Sequence, residues 1–149
     1  MLNNEYVTVM HDYFSAVLRM RQDLRQRVQR KLMEHGHKDI TLEMTQVLYY
    51  LHFWAKDMKT NQQELADRTG KNKSSITSLL GNLTKRGLVE RVTDTHDRRS
   101  NVVTLTRRGL KFVEKIYDDV YHTYDISKVP VSLPKLKELT KLLNSIMDS

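Results

Sequence analysis

Cysteine is absent from the 149-residue chain. Disulfides, thiolate zinc sites and thiol-based redox sensing are thereby excluded, and the absence suits a reducing compartment. Proline occurs only at Pro130 and Pro134, and there are only five glycines, so long helices are permitted over most of the chain. Long hydrophobic runs are missing too. The longest uncharged stretch, Met44 to Ala55, falls short of the roughly 20 apolar residues that span a bilayer. The opening residues, Met1-Leu2-Asn3-Asn4-Glu5, have neither a basic nor an apolar region of the kind a secretory signal needs. A cytoplasmic chain with no membrane partner is expected.

Acidic charge is outnumbered. Lys and Arg total 25 against 18 Asp and Glu, a formal charge of +7. Such a surface favours polyanionic partners, because neutralising phosphates releases condensed counterions. The apolar fraction, 39%, is low beside 29% charged residues. A single copy will have a small core, and a second copy is a natural source of further apolar surface.

Apolar residues recur at steps of three and four from Tyr6 through Met10, Tyr13, Val17, Met20, Leu24 and Val28 to Leu32, which predicts one long amphipathic helix. A helix of about 30 residues is about 45 Å long, more than one small monomer covers, so part of this stripe is expected to meet a second subunit. Thr41 is placed to cap a helix through Ala55 with Val47, Leu48, Leu51 and Trp54 inward. Asn61 opens another, with Glu64 three residues on in the form of a capping box; it ends at Gly70. A further helix runs from about Lys73 to Arg86. Two β runs, Leu88–Val92 and Asn101–Leu105, flank the polar segment Thr93 to Ser100 and read as a hairpin. Thr106 then caps a helix to about Tyr124. Leu136, Leu139, Leu142, Leu143 and Ile146 mark a last amphipathic helix. The expected fold is mostly α with a small β-hairpin wing.

The richest stretch is Gln62 to Lys85. Ala66 is small enough to let a second helix approach, Gly70 tolerates the positive φ that ends the first helix, and Ile76 is the first large residue buried by the second. This spacing is the helix-turn-helix pattern, whose second helix enters the major groove. At about 100° per residue, Ile76, Leu79, Leu80 and Leu83 share one side of that helix. Ser74, Ser78, Gly81, Asn82 and Lys85 share the other, with Ser75 and Thr77 flanking. An ordinary solvated face would carry Lys, Glu and Gln. Short hydroxyls and amides without an acid suit close approach to base edges and phosphates. Lys73, Lys85 and Arg86 are expected at phosphates. In the hairpin tip, Asp97 and Arg99 point the same way, so the carboxylate orients a guanidinium, beside Arg98, for a narrow minor groove.

Gln63-Glu64-Leu65-Ala66, Lys73-Ser74-Ser75-Ile76-Thr77, Leu83 through Arg91, and Asp97-Arg98-Arg99-Ser100 through Gly109 together resemble the MarR family of transcription regulators, strongly over residues 41 to 115. The resemblance implies a winged helix-turn-helix with N- and C-terminal dimerisation helices: a single domain over 1–149, with 1–35 and 107–149 joining two copies and 41–106 forming the DNA-binding lobe. It implies a homodimer that reads double-stranded DNA at a pseudo-palindrome, with residues 73 to 86 as recognition helix and Arg99 in the minor groove. A ligand-responsive repressor is the expected activity, with a small aromatic or lipophilic effector held by some of Tyr13, Phe14, Tyr49, Phe53 and Trp54. The same aromatics at helical spacing also read as plain core. Tyr117, Tyr121 and Tyr124 are expected to serve dimer packing. His35 and His37 flank a glycine without an identified acidic partner, so no metal is assigned, and no cofactor is expected. The alternative is a winged helix that binds a protein or RNA partner without operator recognition; the polar recognition face and the Asp97/Arg99 pair speak against it. No nucleophile–base arrangement or phosphate loop suggests an enzyme.

Overall fold

The computed structural model describes residues 4–93 and 101–149. Among them the chain forms α1 (Asn4–Glu34), α2 (Leu42–Phe53), β1 (Lys59–Asn61), α3 (Gln62–Thr69), α4 (Lys73–Lys85), β2 (Val89–Thr93), β3 (Asn101–Leu105), α5 (Arg107–Tyr121) and α6 (Leu133–Met147). Side-chain caps start the helices. Thr41 accepts from the Met44 amide at 3.3 Å and Asn61 from the Glu64 amide at 2.7 Å. Asn72, Thr106 and Ser132 do the same for α4, α5 and α6. Each satisfies an amide that the first turn would otherwise leave without a partner.

The expected hairpin is present, but in a three-stranded antiparallel sheet of order β1-β3-β2. β2 and β3 pair from Val89↔Leu105 to Thr93↔Asn101, and β1 adds Thr60↔Val103 on the far side of β3. Sequence reasoning missed β1, because three residues are too few to display alternation. Among the described residues no helix is long and apolar enough to cross a membrane.

One continuous core joins these elements. The end of α1 contributes Val28 and Leu32, α2 contributes Val47, Leu48 and Leu51, and α3 contributes Leu65. Ile76, Leu80 and Leu83 enter it from α4, Val103 and Leu105 from β3, and Val113, Ile116 and Val120 from α5. α6 buries no residue, and Leu133, Leu139, Leu142 and Ile146 along it are exposed. The first half of α1 is similar: Tyr6, Val9, Val17 and Leu18 are exposed, so the long stripe is covered only near its C-terminal end.

Two helix ends differ from expectation. α2 stops at Phe53, and Trp54, expected inward, is 71% exposed; the chain leaves the helix there for a single 3₁₀ turn, Lys56–Met58. α5 stops at Tyr121, before Tyr124. Tyr124 instead reaches α1, where its hydroxyl donates to Asp23 Oδ2 at 2.6 Å, and Arg27 lies 4.9 Å from its ring centre. Burial, then the bond to Asp23, push the Tyr124 phenol up to about 12.

Gly109 sits where α5 crosses the strand that follows Gly87. A Cβ there would collide with the Leu88 carbonyl oxygen and lie 2.7 Å from Leu105 Cδ1. The obstacle is backbone, which does not rotate away. Gly109→Ala should therefore destabilise the chain by about 3 kcal/mol, as overpacking against main chain does. Urea unfolding followed by circular dichroism measures it; a change near zero would show that the crossing is looser than described.

Candidate nucleic-acid interface

The turn between α3 and α4 is short because Gly70 adopts φ +68°, a conformation that costs other residues a Cβ clash. The Asn72 carboxamide then accepts from the Ser75 amide at 2.8 Å and starts α4. With Ile76, Leu80 and Leu83 fully buried, α4 has no rotational freedom left. Lys73, Ser74, Ser75, Thr77, Ser78, Asn82 and Lys85 are all exposed. The side chains of Ser74, Ser75, Ser78 and Asn82 make no hydrogen bond among the described residues, and neither lysine forms an ion pair among them. The seven residues therefore form one outward row, and all but Thr77 offer side-chain donors or acceptors that are unengaged among the described residues. Arg86, expected at a phosphate, also bonds within the chain. Its Nη2 donates to the Asp39 carbonyl at 3.1 Å and lies 4.0 Å from that carboxylate, so it ties α4 to the α1–α2 loop.

Beside this row, Thr41, Glu43, Met44 and Lys71 border a surface groove of about 400 Å³ that Ser74, Ser78 and Asn82 share. Glu43 brings an acid to the edge of the face, which inspection of the helix alone missed. Arg25 of α1 pairs with it. Burial works to raise the Glu43 carboxyl, but a backbone hydrogen bond, Arg25 and Lys71 outweigh it and hold the group below the usual carboxylate range. The acid is ionised and neutralised at once.

α3 is anchored by a second carboxylate. Glu64 Oε1 accepts from the Tyr50 hydroxyl at 2.6 Å and Oε2 from Thr60 Oγ1 at 2.7 Å. These bonds bind α3 to α2 and β1. They also correct the capping-box reading: Asn61 caps the Glu64 amide, but the Glu64 carboxylate is spent on Tyr50 and Thr60 and does not return to Asn61. The Tyr50 bond, then the Thr60 bond, hold the Glu64 carboxyl below its ordinary value, while the bond to Glu64 raises the Tyr50 phenol.

Of the aromatics named for an effector, Tyr49 and Phe53 come together, with ring centres 4.6 Å apart. Tyr121 lies 4.9 Å from Tyr49 and Tyr117 5.3 Å from Phe53, so these tyrosines pack on α2 of their own chain. Phe14, 56% exposed, meets Tyr13 at 6.1 Å, and Trp54 is exposed as described. The cavity bordered by Tyr49, Tyr117 and Tyr121 between α2 and α5 measures about 10 Å³, room for one water. His35 has the acidic partner that was not identified from sequence: its Nε2 lies 2.8 Å from Asp119 Oδ2, and Lys31 Nζ is 3.0 Å from Oδ1. His37 packs edge-on to Phe112 at 4.8 Å. Among the described residues no group of three His, Cys, Asp or Glu is placed to hold a metal. Asp97, Arg98 and Arg99 lie outside the described residues.

A helix-turn-helix backed by a three-stranded sheet, with a polar second helix facing outward, defines a winged helix-turn-helix protein. Residues 38–100 match the family model described as MarR family. It is 33% identical over 73 residues to the HTH-type transcriptional regulator SarZ of Staphylococcus haemolyticus, covering 47% of this chain and 50% of that one. It is 33% identical over 81 residues to the HTH-type transcriptional regulator FarR of Neisseria gonorrhoeae, covering 54% and 56%. The matches thus span about half the length of these curated relatives. Sco3205, a MarR family transcriptional regulator from Streptomyces coelicolor solved in complex with DNA, superimposes with a TM-score of 0.82 at 18% identity, over 99% of this chain and 89% of that one; at that identity the likeness speaks for the fold.

The Glu64 network generates an expectation in acid. Its folded-state carboxyl titrates below the unfolded one, so the stabilisation is complete above the ordinary glutamate range and is lost as pH falls through the depressed value. Wild-type stability should therefore drop more steeply below pH 4 than that of Glu64→Gln, and Tyr50→Phe should cost about 1 kcal/mol at neutral pH. Chemical denaturation across pH measures both; parallel curves for wild type and Glu64→Gln would contradict the network.

Proposed function

We propose that this chain is a sequence-reading transcription regulator that binds double-stranded DNA as a homodimer. α4 enters the major groove, with Ser74, Ser75, Thr77, Ser78 and Asn82 toward the base edges and Lys73 and Lys85 at phosphates. Asp97, Arg98 and Arg99 at the hairpin tip serve the adjoining minor groove, Asp97 orienting Arg99. The observation that carries this reading is the outward row on α4: exposed, polar and, Thr77 apart, unengaged among the described residues, on a chain of net charge +7. Such groups gain most from partners that bring their own donors and acceptors, and base edges do so.

The dimer is part of the same proposal. Residues 1–35 and 107–149 would join the copies through the exposed apolar residues of α1 and α6, while α5 also completes the core of its own chain. Burying Leu133, Leu139, Leu142 and Ile146 against a second copy is worth on the order of 1.5–3 kcal/mol for each side chain fully covered. Two lobes related by a two-fold axis would read half-sites of a pseudo-palindrome about 34 Å apart. Repression follows where such a site overlaps a promoter. For an aromatic or lipophilic effector, the Tyr49, Phe53, Tyr117 and Tyr121 cluster between α2 and α5 supplies the surface. Its rings must part to admit anything larger than water, which would couple binding to the seating of α2 behind α4. No catalytic role is proposed.

Selection of bound fragments from random DNA, followed by affinity measurements on the enriched duplex, tests the reading. Ser78→Ala or Asn82→Ala should change which sequences are enriched, by about 1–3 kcal/mol at a contacted base pair. Arg99→Ala should weaken binding more than about tenfold while the dimer persists. Equal losses on every sequence would demote Ser78 and Asn82 to phosphate contacts, and unchanged affinity for Arg99→Ala would remove the hairpin from the mechanism.

A further inference from the structure

The polar side chains of α4 divide by what their atoms already do. Ser74, Ser75, Ser78 and Asn82 are unengaged among the described residues, as set out above. Thr77 differs. Its Oγ1 donates to the Lys73 carbonyl at 2.9 Å and accepts from Gln62 Nε2, at the start of α3, at 3.2 Å. A hydroxyl has one proton and two lone pairs. The proton and one lone pair are therefore committed within the chain, one to the preceding turn of α4 and one to α3. Thr77 is nevertheless exposed, between Ser74 and Gly81 on the outward row. With the hydroxyl turned to its own chain, the γ-methyl is the main group the side chain has left to offer.

A methyl is a reader in its own right. In the major groove thymine alone presents a C5-methyl, and apolar contact with it distinguishes thymine from the other bases. Resting on the DNA-binding reading above, we propose that Thr77 selects thymine by methyl–methyl contact. Gln62 is the positioning residue that holds the Thr77 hydroxyl away from the bases. The face then carries two kinds of readout, hydrogen bonding from Ser78 and Asn82 and apolar contact from Thr77.

The probe is the duplex enriched from random DNA, with each thymine replaced in turn by deoxyuridine, which lacks only the 5-methyl. At one thymine in each half-site the wild-type protein should lose affinity about threefold or more, the size expected for one buried methyl. Thr77→Val keeps a methyl and lacks the hydroxyl, and should show the same loss. Thr77→Ser keeps the hydroxyl and lacks the methyl, and should bind the thymine and deoxyuridine duplexes alike. Gln62→Ala should shrink the thymine preference of the wild-type background and leave it unchanged in Thr77→Val, where no hydroxyl remains to be held; a merely structural glutamine would act equally in both. Indifference of the wild type to deoxyuridine at every position overturns the proposal, as does continued discrimination by Thr77→Ser at the same thymine. Failure to enrich any duplex overturns the DNA-binding reading itself, an outcome distinct from either.

Discussion

The burial of Ile76, Leu80 and Leu83 is the constraint on which the rest depends. These side chains are fully buried in the core cluster that also holds Leu65 of α3 and the sheet residues Val89 and Val103. Turning α4 by one residue would carry all three toward solvent, at about 1.5–3 kcal/mol each. The helix is thus held at one azimuth, and the opposite face follows without further specification. That face is built from Ser, Thr, Asn and Gly, which cost helix stability by up to about 1 kcal/mol per residue relative to Ala. Apolar burial on one side offsets the weak helix formers on the other, the side proposed to meet DNA.

The helix before it is held just as firmly. Gly70 sets the angle of the turn, and the Glu64 carboxylate, with both oxygens engaged, binds α3 to Tyr50 of α2 and Thr60 of β1. A displacement of α2 therefore reaches α3 through charge-assisted hydrogen bonds and reaches α4 through packed leucines. The aromatic cluster at the other end of α2 meets α5. These contacts form a continuous physical path from the Tyr49–Tyr121 region to the outward row, running through a helix rather than through a mobile segment.

What was legible in the sequence was local. The caps Thr41, Asn61 and Thr106, the stop at Gly70 and the two faces of α4 rest on spacings of a few residues, and all appear in the structure. What was not legible depends on partners distant in sequence. Glu64 looked like a capping-box member, but Tyr50, fourteen residues away, takes its carboxylate. His35 looked unpartnered until α5 brought Asp119 to it from 84 residues away. Tyr124 has helical spacing from Tyr117 and Tyr121, yet it lies beyond the end of α5 and bonds to Asp23 of α1. Trp54 falls on the apolar period of α2, but the helix ends before it. β1 is too short to announce itself and exists because β3 offers it an edge. In the candidate interface the row of residues was legible; the division between Thr77, whose hydroxyl is committed, and Ser78, whose hydroxyl is not, required Gln62 in three dimensions.

The whole account turns on whether α4 discriminates between sequences or merely rests on a charged polymer. Electrostatic attraction alone would give a basic chain affinity for any duplex, falling steeply with salt. The direct measurement is the ratio of dissociation constants for the selected duplex and for a scrambled duplex of the same composition, at about 0.15 M salt. A ratio of about 10³ or more is predicted for a recognition helix seated in the major groove. A ratio near one, with both affinities lost together as salt rises, would contradict it.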